Sequence, residues 1–346
     1  MMEIDFKCIA DKCNHTCCKG WEIDIDDETY EVYQNLPGEF GDRIRKSIAT
    51  DKTGDDKTHH FVLSKDERCP FLNERNLCDI ILNVGEDYLC DICHEHPRFY
   101  KESDGGEFLC GYGLCCEEAA RLTLFPAISG DDSINAQRDF VKATSKVSDN
   151  EILELCKLLA ELESIEKSWK NGIDKLLCKL NTKSLCKPDS KKLCKPTPLE
   201  TTDADRTDIP KAFSRAFYYL YQYMLFRYDS KLYATMMCAV IMRICEIIKE
   251  EKGVLSEADL IETVRVYSAD IEYSDENVEI IMNYLEEKMF ETMHYVVASI
   301  DGDYANLQKV GDESAEPKLV ARALLPAEIT EGCHLKYEMM SYYMEQ

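Results

Sequence analysis

Beyond Pro126 the apolar residues recur mostly three or four positions apart, the period of helices that bury one face. Ser148 and Glu151 have the spacing of a capping box, and Ile152, Leu155, Leu159, Leu162 and Trp169 continue the stripe. Pro210 suits the first position of a helix that runs through Phe213, Phe217 and Leu220 to about Tyr228. Asp229-Ser230 interrupts it. A more apolar helix then continues to Gly253, a residue placed as a C-terminal stop. Ser256 opens another helix, and Ser274-Asp275-Glu276 opens one expected to reach about Val296. The end of the chain, with Leu324-Leu325-Pro326 and a run rich in Tyr and Met, has no assigned pattern.

The first 125 residues read differently, as a loop-rich region of short elements. Asp26, Asp27 and Glu28 suit a helix N-terminus, followed by Tyr30, Tyr33 and Leu36 before Pro37-Gly38 ends the turn pattern. A second short helix is expected from Glu117 to Leu124, ahead of Pro126. The fold expected is therefore mainly α, with a loop-rich, metal-organised domain over 1–125 and an all-α domain over 126–346. Within the latter, Leu-Cys-Lys occurs at Cys178, Cys186 and Cys194, with Pro188 and Pro196 after the last two. That segment, about 178–200, reads as an exposed loop with a local duplication.

Composition sharpens this picture. At 346 residues, 45% of them hydrophobic, the chain is long enough for two domains and too apolar for wholesale disorder. The net charge of −25 is spread along the chain and no basic stripe is present, which argues against nucleic acid as a partner. No uninterrupted apolar run suits a membrane span, and Met1-Met2-Glu3-Ile4-Asp5 lacks the opening of a secretory signal, so a cytoplasmic setting is expected.

Cysteine carries the candidate chemistry. Of 18 cysteines, eleven lie between Cys8 and Cys116. Disulfides would need an oxidising compartment. Buried inert thiols suit Cys156, Cys238 and Cys245, which sit in apolar helical patterns. They do not suit Cys13, Cys17 and Cys18, which lie among Asp11, Lys12, Asn14, His15 and Lys19. Metal ligation by thiolates is the favoured reading. A zinc ribbon needs two Cys-x-x-Cys knuckles and only Cys90-x-x-Cys93 is present. A radical adenosylmethionine motif, Cys-x3-Cys-x2-Cys, occurs nowhere, and a thioredoxin-like βαβ setting is missing. An iron–sulfur cluster with scattered ligands and irregular zinc sites both stay open.

An ordered set of motifs is more specific. Phe6-Lys7-Cys8-x4-Cys13-x3-Cys17-Cys18-Lys19-Gly20-Trp21-Glu22 is followed by Cys69-Pro70-Phe71-Leu72, Leu77-Cys78, Cys93 through Pro97-Arg98, and Cys116-Glu117-Glu118-Ala119-Ala120-Arg121. This series resembles the flagellin lysine-N-methylase family, the FliB-like proteins, and the broader group of zinc- or iron-chelating cysteine-cluster domains. The block from Phe213 to Arg227 is similar in character to the family's middle segment. The resemblance implies methyl transfer from S-adenosylmethionine to lysine amines of flagellin by a protein carrying a [4Fe-4S] cluster. The matching metal ligands are Cys8, Cys13, Cys17, Cys18, Cys69, Cys78, Cys93 and Cys116. Eight exceed the four thiolates of one cubane cluster, so some are structural or a second metal is present. Cys90, Cys110 and Cys115 stand outside the match. His94 and His96 are either ligands or solvated loop residues, and Arg98 is a candidate partner for a cofactor carboxylate, against a structural ion pair.

A lysine amine attacks a sulfonium methyl only when neutral, and deprotonating an ordinary lysine at pH 7 costs about 4.6 kcal/mol. Burial against aromatic faces lowers that cost, and Tyr218, Tyr219, Tyr221, Tyr223 and Tyr228 are candidates for such a lining. No Gly-x-Gly loop in a strand–loop–helix setting announces an adenosylmethionine site. The alternative function is a non-catalytic zinc- or iron-binding, or redox-sensing, protein whose helical domain binds a partner.

Overall fold

A computed structural model describes residues 6–53, 56–103, 105–126, 137, 140–141, 143–144, 146–164, 166–185, 211–290, 293–311, 316–338 and 341–345. Backbone contacts divide the chain into two compact units, Met1–Asp275 and Glu276–Gln346. Residue 126, the boundary expected from sequence, lies inside the first.

The first unit begins as small elements threaded between cysteines. Helix α1 (Asp27–Asn35) starts where the sequence predicts, because the Asp26 carboxylate accepts the Thr29 N–H at 2.8 Å. The other Asp26 oxygen accepts the Asp91 N–H at 2.9 Å and so ties α1 to α4 (Asp91–Glu95). Helices α2 (Gly38–Lys46), α3 (Asp79–Asn83) and α5 (Glu117–Leu124) complete the set. Strand β3 (Asp56–Phe61) pairs with β1 (Asp24–Ile25) on one side and β2 (Ile48–Thr53) on the other, all antiparallel. Ile23, Ile25, Tyr33, Ile44, Phe61, Phe71 and Ile80 form a core around this sheet, and Cys69 and Cys90 are part of it. The region thus has a hydrophobic core of its own as well as its thiols.

A hairpin of β4 (Arg98–Glu102) and β5 (Phe108–Tyr112) follows, with Phe99 opposite Gly111. A Cβ at Gly111 would stand 2.3 Å from the Phe99 ring, so only glycine lets the ring lie across the partner strand. We expect Gly111→Ala to cost about 1–3 kcal/mol through this overpacking. A denaturation midpoint unchanged from wild type would show that the ring moves aside freely.

Long helices build the rest of the first unit. Asp149–Glu161 starts with the expected capping box, the Ser148 hydroxyl taking the Glu151 N–H while Glu151 takes the Ser148 N–H. Lys167–Leu185, Lys211–Tyr228, Lys231–Lys252 and Glu257–Tyr267 follow. Gly253 ends the most buried of them in the left-handed conformation, at φ 80°, where a side chain would be strained. Cys178 lies within a helix, so the expected exposed loop begins helical; 186–200, with Cys186, Cys194, Pro188 and Pro196, falls outside the described residues, as does Pro210.

The second unit overturns the all-α expectation. Asp275–Phe290 is helical, but the chain then forms β6 (Met293–Asp301), β7 (Tyr304–Lys309), β8 (Lys318–Ala321), β9 (His334–Glu338) and β10 (Ser341–Met344). These make one antiparallel sheet in the order β10-β9-β6-β7-β8. The helix expected to reach Val296 ends earlier because the next residues change period. Tyr295 and Val297 are buried on alternate positions, Leu307 stands opposite Val297 across the hairpin, and Ala305, Val320 and Leu335 belong to the same core. With the sheets of the first unit, the described residues make a mixed α and β protein with three antiparallel sheets among them. Among the described residues, no helix is long and apolar enough to cross a membrane.

Candidate functional site

Every described cysteine is a free thiol. Three of the cysteines from the N-terminal series occupy the residue before a helix: Cys78 before α3, Cys90 before α4 and Cys116 before α5. A thiol there faces the positive end of the peptide dipoles, which favours thiolate. Cys78 and Cys116 both show the contest directly: burial pushes their pKa up, while first-turn amides, Ile81 and Ile80 for Cys78 and Ala119 and Glu118 for Cys116, pull it down.

The eight family-matching cysteines fall into two groups joined by the hydrogen bond between the Cys17 and Cys18 thiols. Cys18, Cys69, Cys78 and Cys93, with Cys90, pack on the N-terminal core. The Cys69 N–H donates to the Cys18 carbonyl at 2.8 Å, the Cys93 N–H to the Cys90 carbonyl at 2.9 Å, and Leu72 bridges to Cys78. Burial pushes the Cys69 thiol up to about 12, and Cys18, Cys78 and Cys90 lie close enough to add to that rise. Cys93 is raised by its hydrogen bond with Cys90, by burial and by Cys18 and Cys69. The remaining four, Cys8, Cys13, Cys17 and Cys116, gather on the segment before Lys19 and at the start of α5. Cys17 is raised by its hydrogen bond with Cys18, by burial, and by the nearby Cys8 and Cys116. Cys18, the other member of that pair, is lowered to about 7 by the same hydrogen bond. Cys110 bonds the Gly111 carbonyl and Cys115 the Tyr273 hydroxyl. Among the described residues no three Cys, His, Asp or Glu side chains converge in coordination geometry.

Cys156, Cys238 and Cys245 are fully buried away from these groups, Cys238 lying 3.7 Å from the Met224 sulfur. Cys238→Ala should lower the melting temperature through the cavity it leaves while the metal content per chain stays as in wild type. Metal lost in proportion to the substitution would place Cys238 in a centre.

The sequence-flagged histidines separate. His94 is exposed beside Glu95, whereas His96 is largely buried, its ring 5.9 Å from Trp21 and 6.5 Å from Tyr273. Burial lowers its pKa from 6.5 to about 4, and its Nε2 has no partner. Above pH 6.5 the folded and unfolded imidazoles are both neutral. As pH falls from 6.5 to 4 the unfolded chain takes up a proton that the folded one refuses, so stability drops by roughly 3 kcal/mol through this residue. His96→Gln should flatten that part of the stability profile, and an unchanged slope would remove His96 as its source. Arg98 Nη1 donates to the His94 carbonyl at 3.1 Å and its guanidinium lies over Phe6 and Tyr112, with Glu95 in electrostatic reach.

Behind the hairpin is a buried polar network that the sequence does not announce. The Tyr223 hydroxyl donates to Glu272 Oε2 at 2.9 Å and accepts from Arg227 Nη1 at 2.9 Å. The Ser268 hydroxyl also donates to Glu272 Oε2, and Arg227 lies over the Phe99 ring at 4.4 Å. Glu272 Oε1 has no partner. Glu272 closes a π-helical turn, Ser268–Glu272, a local widening common at functional sites. Of the five flagged tyrosines, Tyr223 belongs to this network and Tyr228 adjoins it; Tyr218 and Tyr221 pack on Phe140, and Tyr219 accepts from Arg215. Only the placing of a carboxylate between the apolar Ile271 and Tyr273 could have signalled Glu272.

No protein-family profile and no solved structure matches the chain. A stretch of it is similar to curated proteins. "Lysine-N-methylase" of Salmonella typhimurium is 29% identical over 106 residues, which is 27% of this chain and 24% of that protein. The protein of the same name from Salmonella choleraesuis gives the same figures. "Flagellar biosynthetic protein FliU" of Salmonella muenchen is 31% identical over 99 residues, 27% of this chain and 56% of that protein. The chain thus matches about a quarter of the length of the two lysine-N-methylases, a partial similarity at the level of a FliB-like relationship.

Proposed function

We propose that the chain is a lysine N-methylase acting on flagellin or a similar protein, with S-adenosylmethionine as methyl donor. The observation that carries the reading is the similarity to two proteins named lysine-N-methylase, supported by a third named for flagellar biosynthesis. In this reaction the neutral lysine nitrogen forms a bond to the sulfonium methyl carbon as the carbon–sulfur bond breaks, and the amine proton passes to solvent or a base. Arg98, held over Phe6 and Tyr112, is the candidate for the donor's carboxylate. The proposal includes a cytoplasmic setting, where thiols stay reduced.

Cys18, Cys69, Cys78 and Cys93 would hold the iron–sulfur cluster that the resemblance implies. Their donor type fits it, four soft sulfurs packed on one core with helix-start amides directed at Cys78, while among the described residues their sulfurs do not converge as a closed ligand set. Bound there, a [4Fe-4S] cluster supplies a cross-link and a redox-capable centre. The test is anaerobically purified protein, its iron and sulfide content measured, incubated with flagellin and methyl-labelled S-adenosylmethionine. Methyl increments on lysine, located by mass spectrometry and absent without the protein, support the reading. No lysine methylation by metal-replete protein would overturn it and favour a non-catalytic metal-binding role.

A further inference from the structure

We propose that Glu272 and the aromatic rings beside it form a binding site for a primary alkylamine, the lysine side chain that accepts the methyl group. The inference rests on the methylase reading and deepens it by naming the residue that meets the acceptor nitrogen.

The first argument is an oxygen left over. An ionised carboxylate has about four acceptor positions on its two oxygens. Oε2 of Glu272 takes the Tyr223 and Ser268 hydroxyls, whereas Oε1 has no partner among the described residues, although the side chain is fully buried. A buried charged acceptor left unpaired is costly, and a fold that keeps one calls for an explanation in a ligand or a function. The internal network does not supply it. Tyr223 joins Oε2 to Arg227, and Arg227 itself bonds the Glu272 carbonyl, so neither uses Oε1. The backbone points the same way. Glu272 owes its place to the π-helical turn Ser268–Glu272, which interrupts the regular winding after Glu257–Tyr267. Such turns recur at functional sites.

The second argument is what fits the position. Oε1 accepts, so its partner is a donor, and Arg227 already balances the charge of the carboxylate. An incoming amine therefore gains little by keeping its proton, and burial beside a guanidinium favours the neutral form. The walls suit its stem. The Phe99, Tyr228 and Tyr273 rings lie 4.4, 5.6 and 6.0 Å from the Arg227 guanidinium, and the Tyr273 side is half exposed, so an aromatic surface leads outward from the network. Rings of this kind pack against an alkyl chain and stabilise positive charge near their faces.

In the reaction the lysine sheds its proton to solvent on entry and donates one N–H to Oε1. Its lone pair forms the bond to the sulfonium methyl carbon, while the carbon–sulfur electron pair stays on sulfur. The nitrogen gains positive charge as that bond forms, and Oε1 meets it. This interaction is stronger in the transition state than in the bound substrate, which makes Glu272 a catalytic residue.

The deciding experiment is amide hydrogen exchange of the full-length, anaerobically purified protein, mapped by mass spectrometry with millimolar n-butylamine. It is run near pH ~9, where more of the amine is neutral. Exchange in the segments holding Arg227, Tyr228 and Ser268–Tyr273 should slow with n-butylamine and not with n-butyltrimethylammonium, which has no N–H to give. Exchange unaffected by n-butylamine, or slowed equally by both compounds, would overturn the proposal. Because this measurement uses the wild-type chain, it stands even where a variant does not fold. Glu272→Gln with wild-type circular dichroism should lose the protection and lower kcat/KM for flagellin about tenfold or more, the loss of a hydrogen bond to a charged group. Its KM for S-adenosylmethionine should stay within about twofold, since the donor does not bind there. Protection retained in Glu272→Gln would also defeat the site. Protection without methylation by wild type defeats the methylase reading and leaves the amine site; methylation without protection does the reverse.

Discussion

Arg227→Ala should destabilise the first unit by about 3–5 kcal/mol, the cost of stranding a buried charge. The Glu272 side chain is fully buried and the Arg227 side chain is 17% exposed, with 3.9 Å between guanidinium and carboxylate. Their coupling runs mainly through the Tyr223 hydroxyl, which accepts from one and donates to the other, and through a bond from Arg227 to the Glu272 carbonyl at 3.2 Å. Burial opposes the guanidinium charge, but Glu272 and Tyr223 more than restore it. Alanine leaves the carboxylate with hydroxyl partners alone and removes the cation from the Phe99 face. Arg227→Lys should recover only part of the loss, because an ammonium cannot serve Tyr223 and the backbone carbonyl as a planar fork does. Adding Glu272→Gln to Arg227→Ala should cost less than the sum of the two single changes, since the stranded charge is gone. The measurement is urea unfolding followed by Trp169, which lies 5.6 Å from Tyr267, in a Trp21→Phe background. A loss under about 1 kcal/mol for Arg227→Ala would show that the guanidinium is not what holds this network together.

This network shows why part of the candidate site was hidden in the sequence. Tyr223 and Glu272 are 49 positions apart, and Phe99 comes from a hairpin far earlier, so no local pattern links them. Signals that act within a few residues were readable. Asp26, Ser148, Ser256 and Gly253 mark helix ends because a cap satisfies amides or carbonyls of its own turn. The short helix Glu117–Leu124 was equally plain from its acidic start and following proline. Strands were missed because each has little meaning without its partner. Residues 293–301 continue an apolar run from a genuine helix, and only alternation at Tyr295 and Val297, completed by Ala305 and Leu307, identifies a sheet. Cysteine density likewise marks the region but not its packing, since spacing alone does not say that Cys18 joins the core with Cys69, Cys78 and Cys93 while Cys17 stays exposed.

On the proposed reading that Cys18, Cys69, Cys78 and Cys93 hold a metal, its removal should have the largest effect of all on the N-terminal region. Structural zinc in small peptides contributes on the order of 10 kcal/mol, because binding and folding are one event. Here Tyr33, Ile44, Phe61 and Phe71 supply a core that persists without metal, so the region should loosen by several kcal/mol and not lose all structure. Cys69 and Cys90, at 8% and 1% exposure, should then become open to alkylation, and should resist it in protein that holds the metal. The pH dependence has a definite sign. Burial holds the Cys69 thiol at about 12, so at neutral pH the metal must displace its proton, and metal affinity falls as pH falls. A chelator should therefore strip the protein faster near pH ~6 than near pH ~8, with protons taken up as metal leaves. Cys69→Ser with Cys78→Ser should reproduce the stripped state at every pH, since hydroxyls do not replace thiolates for a soft metal. Wild-type stability and alkylation unaltered by complete metal removal would show that the hydrophobic core alone holds these thiols in place.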